Sequence, residues 1–198
     1  MYQSSREKSG KDIKDEKSFP EIRKKLEQEI GSEGLNLLIN NAGVAIGTSL
    51  DNVTKEAMME NFEVNTVGPL LLSKELLPLL KTAASKSGSD SLSCARGSIV
   101  NITSKKGSID VNTIGGSYSY RASKTALNMV TKSLSADLKP HGILCFVLHP
   151  GCVKTDMGVG SSLIAPQTSV SGMMNTILQA NDKHCGLMFN YDGKLIPW

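Results

Sequence analysis

The sequence predicts an α/β fold in which helices cover both faces of a doubly wound parallel sheet, and three observations carry that reading. Short apolar runs of strand length recur as "LNLLIN" (35–40), "GSIVNIT" (97–103), "ILCFVLH" (143–149) and "GLMFN" (186–190). They are apolar throughout rather than alternating, as strands buried on both faces are. Longer segments with helical spacing lie between them, the alternation expected when each strand is followed by a crossover helix. A chain of 198 residues with 39% hydrophobic and 21% charged residues is an ordinary globular composition, so one domain is expected.

Taken in order, residues 1–18 ("MYQSSREKSGKDIKDEKS") are polar, carry both signs of charge and show no apolar period. They are expected to form a loose tail, with residues 19–198 as the single domain. "PEIRKKLEQEI" places Pro20 at a helix start, aligns Ile22, Leu26 and Ile30 on one stripe, and is followed by Gly31 and Gly34. After the first strand, "TKEAMMENFEVN" leads into "PLLLSKELLPLLK"; "YRASKTALNMVTKSLSADLK" follows the second strand, and "PQTSVSGMMNTILQAN" precedes the last.

A formal net charge of +3, without a stripe of cations on one helix, does not provide the footprint of a nucleic-acid binder. No apolar run reaches the roughly 20 residues of a bilayer span, and "LLLSKELLPLL" is broken by Lys74, Glu75 and Pro78, so no membrane partner is expected. The four cysteines have neither CxxC spacing nor a histidine at ligand distance. They read as reduced thiols of a cytoplasmic protein, with no metal site.

In parallel α/β sheets ligands bind beyond the carboxyl ends of the strands. Here those ends carry Asn40, Asn41, Ala42 and Gly43, then Ser104, then Pro150 and Gly151. Small and polar residues let a ligand approach the backbone closely, although "NNAG" alone reads equally well as a turn. Tyr120 and Lys124 share one face of the helix that follows Ser104. An ammonium beside a phenol is expected to lower the Tyr120 pKa toward general acid–base work, and Ser104 could polarise the same substrate oxygen. Asn65, inside a helical segment, reads as a kink, a water site or a tolerated surface residue. His149 reads as a packing residue, as do the pairs Met58–Met59 and Met173–Met174.

Together "NNAG", the Asn of "VNTVGP", the Ser of "SIVNITS", "YRASK" and "HPGCVKTDMG" resemble the short-chain dehydrogenases/reductases. "YRASKTALN", the long "SKKGSIDVNTIGGSYSY" connection and the ending "NYDGKLIPW" look most like the C-factor or sniffer-type carbonyl reductases of that family. The resemblance runs from about Pro20 to Trp198 and implies a Rossmann-type fold. It also implies NADPH-dependent reduction of a ketone or aldehyde, NAD being the other candidate cofactor. By position, Tyr120 would protonate the carbonyl oxygen and Ser104 would hold it. Lys124 would lower the Tyr120 pKa and bind the nicotinamide ribose, while Asn65 would position a relay water. Asn41, Ala42 and Gly43 would line the cofactor. Pro150, Gly151, Val153 and Thr155 would contact its nicotinamide and phosphates, and Met157 onward would form the substrate loop.

One departure from the family accompanies these matches. The glycine turn G-x-x-x-G-x-G, which cradles a pyrophosphate at a helix N-terminus, has no counterpart; "GVAIGTS" (43–49) ends in Ser49 and follows the wrong strand. The resemblance therefore implies a fold truncated at its amino-terminal side, with "LNLLIN" left as an apolar edge strand that invites a partner. Two readings follow: a carbonyl reductase acting on a small-molecule carbonyl substrate, or a non-catalytic truncated form. A homo-oligomer or pairing with a full-length homologue is the expected assembly.

Overall fold

In the computed structural model, residues 12–155 and 164–198 are described. Five strands form one sheet in the order β1 (Leu37–Asn40), β2 (Ser98–Ile102), β3 (Leu144–His149), β4 (Met188–Asn190) and β5 (Leu195–Ile196). The first four run parallel, and β5 turns back antiparallel to β4. This short last strand was not expected from the sequence, because two residues after the Asp192–Gly193 turn are too few to show a period.

The helices are α1 (Phe19–Ile30), α2 (Lys55–Phe62), α3 (Gly68–Lys86), α4 (Tyr118–Leu138) and α5 (Pro166–Leu178). Between α2 and α3, Glu63–Val67 form a single π-helical turn, so the chain stays helical from Lys55 to Lys86 with one widened turn around Asn65. Side chains of β2 and β3 alternate between two cores. Val100, Ile102, Leu144, Phe146 and Leu148 meet Ile177 of α5, whereas Ile99 and Cys145 meet Leu80 and Ala84 of α3 and Leu138 of α4. Burial on both faces explains why these strands are continuously apolar.

Residues 12–18 were expected in a loose tail but lie against the domain. Ile13 packs on Gly68, Lys14 pairs with Glu60 at 3.0 Å, and a short 3-10 turn leads into α1. One apolar side chain supplies the anchor, which no periodicity search can detect. No helix among the described residues is long and apolar enough to cross a membrane.

Candidate active site

The carboxyl ends of β1, β2 and β3 converge on the first two turns of α4, and a buried polar ladder sets their spacing. The Asn40 side chain donates to Asn101 (2.7 Å) and Ser73 (3.1 Å), and Asn101 donates to Thr131 on α4 (2.7 Å). The first Asn of "NNAG" is therefore a sheet-locking residue, which accounts for a polar residue at the end of an apolar strand.

The strand end of β2 is tied to α4 one turn further on. Thr103 donates to the Asn128 side chain at 2.6 Å, and Asn128 in turn donates to the Gly107 carbonyl at 3.1 Å, which Thr125 also reaches at 2.9 Å. Gly107 lies so close to α4 that a Cβ there would sit 2.9 Å from the backbone carbon of Lys124. This contact presses the turn after Ser104 onto the helix and brings the Ser104 hydroxyl within hydrogen-bonding reach of the Tyr120 phenol. Gly107, Thr103 and Asn128 carried no functional signal in the sequence, apart from Asn128 being one turn beyond Lys124.

Tyr120 is preceded by three consecutive left-handed residues, Gly115 and Gly116 (φ 65° each) and Ser117 (φ 50°). Ser117 is held there by Lys106, whose ammonium donates to its hydroxyl at 3.2 Å, and Arg121 donates to the Gly116 carbonyl at 3.0 Å. Burial raises the Tyr120 pKa above its ordinary value, and the hydrogen bond from Ser104 only partly opposes this. The expected depression by Lys124 is absent. The Lys124 ammonium stands 6.0 Å from the centroid of the Tyr120 ring and donates to the Ile102 carbonyl at 2.9 Å. Its own pKa is lowered to about 8 because the side chain is buried among neutral groups.

The Asn65 side chain is not on the surface. Its oxygen accepts from the Val44 amide at 2.9 Å, and its nitrogen donates to the Val44 carbonyl and the Ser123 hydroxyl, both at 2.9 Å. The π turn offers this buried side chain to the loop after β1. Gly43 is clamped beneath it, since a Cβ at that position would meet the Asn65 oxygen at 3.0 Å and the Lys124 nitrogen at 3.5 Å. Asn65, Ser104, Tyr120, Lys124 and Gly43 are thus brought together.

Asn41 and Ala42 are exposed and border a shallow hollow of about 200 Å³, lined also by Ile13, Ile39, Asn40, Pro69 and Leu72. At the end of β3, Gly151 takes φ 82° with Tyr191 and Ile164 packed where a side chain would stand. The Pro150 carbonyl accepts from Ser169 at 2.6 Å, and Val153 pairs with Ile164. Thr155 is exposed at the end of this described segment, and the expected substrate loop from Met157 lies outside the described residues up to position 163.

A nicotinamide nucleotide fits part of this arrangement. The exposed backbone at 41–42, the glycine at 43 that keeps the approach to the buried Lys124 amine free of a side chain, and the turn at Gly151 suit its nicotinamide–ribose end, whereas the sequence holds no glycine-rich turn for the pyrophosphate. A Tyr–Lys–Ser–Asn cluster at the carboxyl edge of a doubly wound parallel sheet defines the class of oxidoreductases that the fold and site indicate. The family model for short chain dehydrogenases matches residues 8–162, and the chain belongs to the short-chain dehydrogenase/reductase family. The C-signal of Myxococcus xanthus is 39% identical over 165 residues, covering 83% of this chain and 93% of that protein. The carbonyl reductase Sniffer of D. melanogaster superposes with a TM-score of 0.91 at 41% identity, over 95% of this chain and 76% of that one. An NADPH-bound carbonyl reductase from chicken fatty liver gives a TM-score of 0.88 at 40% identity, over 94% and 75% of the two chains.

Proposed function

We propose that the chain carries the catalytic site of an NADPH-dependent carbonyl reductase that converts a ketone or aldehyde to an alcohol. The observation that supports this reading most directly is the placement of the Ser104 hydroxyl beside the Tyr120 phenol, with the Lys124 ammonium one turn away on the same helix. A bound nicotinamide nucleotide supplies the hydride that reaches the carbonyl carbon.

The remaining work falls to residues of this chain. Ser104 donates a hydrogen bond to the carbonyl oxygen and stabilises negative charge as it develops. Tyr120, whose raised pKa keeps it protonated, passes its proton to the same oxygen. Lys124 would orient the ribose of a bound nucleotide, and Asn65 holds the Val44 backbone in place beside it. Asn41, Ala42 and Gly43, with Pro150, Gly151, Val153 and Thr155, would hold the nucleotide.

The test is calorimetric titration of NADPH and NADH into the 198-residue chain. A chimera carrying the amino-terminal strand–turn–helix unit of a Sniffer-type reductase is titrated in parallel, and turnover of an aromatic ketone is assayed with both. The expected result is tighter NADPH binding and turnover by the chimera, with turnover lost in Tyr120→Phe. Turnover that survives Tyr120→Phe overturns the assignment.

A further inference from the structure

Helix α4 begins on a residue that does not cap it. Ser117 occupies the N-cap position with a left-handed backbone (φ 50°), makes no side-chain bond to the helix amides, and accepts instead from the Lys106 ammonium. A capping hydroxyl ordinarily accepts from the amide of the second or third helical residue, here Ser119 and Tyr120. The bond to Ser119 comes from elsewhere in the chain, because the Thr48 hydroxyl accepts from the Ser119 amide at 3.3 Å. The two hydroxyls also meet at 3.1 Å, and Ser119 donates its own to the Ile46 carbonyl at 2.8 Å. With that proton committed, Thr48 is the donor between the two hydroxyls. Both residues are buried, so water does not compete for these bonds.

We infer that Thr48 is a positioning residue for Tyr120, capping from the loop after β1 the helical turn that carries the acid. The inference rests on the carbonyl-reductase reading above. The same loop is fastened at its start, where Asn65 holds Val44, and at its middle, where the Ile46 amide donates to the Asn61 side chain at 3.4 Å. Thr48 thus joins the first turn of α4 to the segment whose residues 41–43 are assigned to the nucleotide. Tyr120 directly follows Ser119, so the bond sets the phenol-bearing turn relative to that segment. Catalytic groups work from positions held to within about 0.5 Å, and packed, hydrogen-bonded neighbours supply that support. Without the Thr48 hydroxyl the Ser119 amide is a buried donor with no acceptor, and the turn moves to recover one. Valine keeps the shape of threonine and lacks its hydrogen bonds, whereas serine keeps the hydroxyl.

The experiment uses the full chain with ¹³C-labelled tyrosine rings. Four tyrosines are present, and loss of a signal in Tyr120→Phe or Tyr191→Phe assigns those two rings. Tyr191, which follows β4 and packs on Gly151 and Gly172, is the remote reference. Thr48→Val is expected to move the Tyr120 ring signals and to speed amide exchange at Ser119 by roughly 10-fold, the loss of one hydrogen bond, with Tyr191 in place. Thr48→Ser is expected to match the wild type in all three. Unmoved Tyr120 signals in Thr48→Val, a Tyr120 shift that Thr48→Ser shares, or an equal shift at Tyr191 overturns the inference. Ser119→Ala removes the hydroxyl pair from the other side; it carries the same expectation for Tyr120 and serves if Thr48→Val fails to fold.

Turnover is read separately on the chimera described above. Thr48→Val is expected to lower kcat by roughly 10-fold while KM for the ketone and calorimetric affinity for NADPH stay within about 2-fold, and Thr48→Ser to restore kcat. Burial holds the Tyr120 pKa up, so a turn that admits water also moves the alkaline limb of the kcat profile to lower pH, which partial unfolding alone does not do. An unchanged kcat overturns the inference, as does a fall in kcat with an unmoved limb. Absence of turnover in the unmodified chimera, alongside a selective Tyr120 shift in Thr48→Val, counts against the catalytic reading and leaves the positioning role of Thr48 supported.

Discussion

Tyr120 and Lys124 share a helix face, yet burial moves their protonation equilibria in opposite directions. The phenol is held above its ordinary pKa and the ammonium is brought down to about 8. At neutral pH this leaves Tyr120 protonated, the form that a reductase needs as its acid. Replacement Tyr120→Phe is expected to lower kcat by about 10²- to 10⁴-fold, the usual range for a general acid, with nucleotide affinity measured calorimetrically almost unchanged. For Lys124 the folded pKa lies below the unfolded value of 10.5. Between about 8 and 10.5 the unfolded chain binds the extra proton, so stability from this group rises with pH across that window and its full burial cost stands below it. Urea unfolding of the wild type relative to Lys124→Met should therefore show a gain on the order of 2–3 kcal/mol between pH 8 and 10.5. A flat difference would mean that the amine reaches solvent.

At the scale of elements, two contacts decide where the reactive side chains stand. The first is the turn after β2, where Gly107 meets the Lys124 backbone with no room for a methyl group. Gly107→Ala should cost roughly 1–3 kcal/mol as overpacking and should move Ser104 away from Tyr120. Both thermal unfolding and the pH dependence of turnover would register the change. The second is the π turn that carries Asn65, whose side chain makes two bonds to Val44 and one to Ser123. Asn65→Ala should release the loop after β1, seen as a large gain in hydrogen exchange at the Val44 amide. Retained protection at Val44 would show that other contacts hold the loop. Asn in a helical segment was the visible signal here, but whether it marked a kink or the surface depended on what lay across from it.

At the scale of the molecule, β1 is the outermost strand of the sheet among the described residues, and Ile39 is 38% exposed beside Pro69 and Leu72. A short apolar edge with unpaired backbone groups is a template for association. Ile39→Lys is expected to shift the chain toward monomer in analytical ultracentrifugation, because a charged side chain on an edge opposes strand addition. Unchanged sedimentation would place self-association elsewhere.

The amino-acid sequence by itself determined the four parallel strands, the five helices and the Tyr120–Lys124 spacing, which follow from local periodicity and from residues near one another along the chain. The family was legible through the resemblance of its motifs. Tertiary structure alone decided the rest. It showed that Asn40 belongs to a buried ladder with Ser73, Asn101 and Thr131, that Asn65 clamps Val44, and that Gly107 must be small because α4 lies against it. It also set the Lys124 ammonium 6.0 Å from the Tyr120 ring centroid and buried the phenol, so that the Tyr120 pKa is raised, and it left His149 Nδ1 without a hydrogen bond. Each of these depends on atoms distant in sequence and on the loss of water around them. Spacing along a chain encodes which groups share a face, but solvation and close approach exist only once the elements have packed.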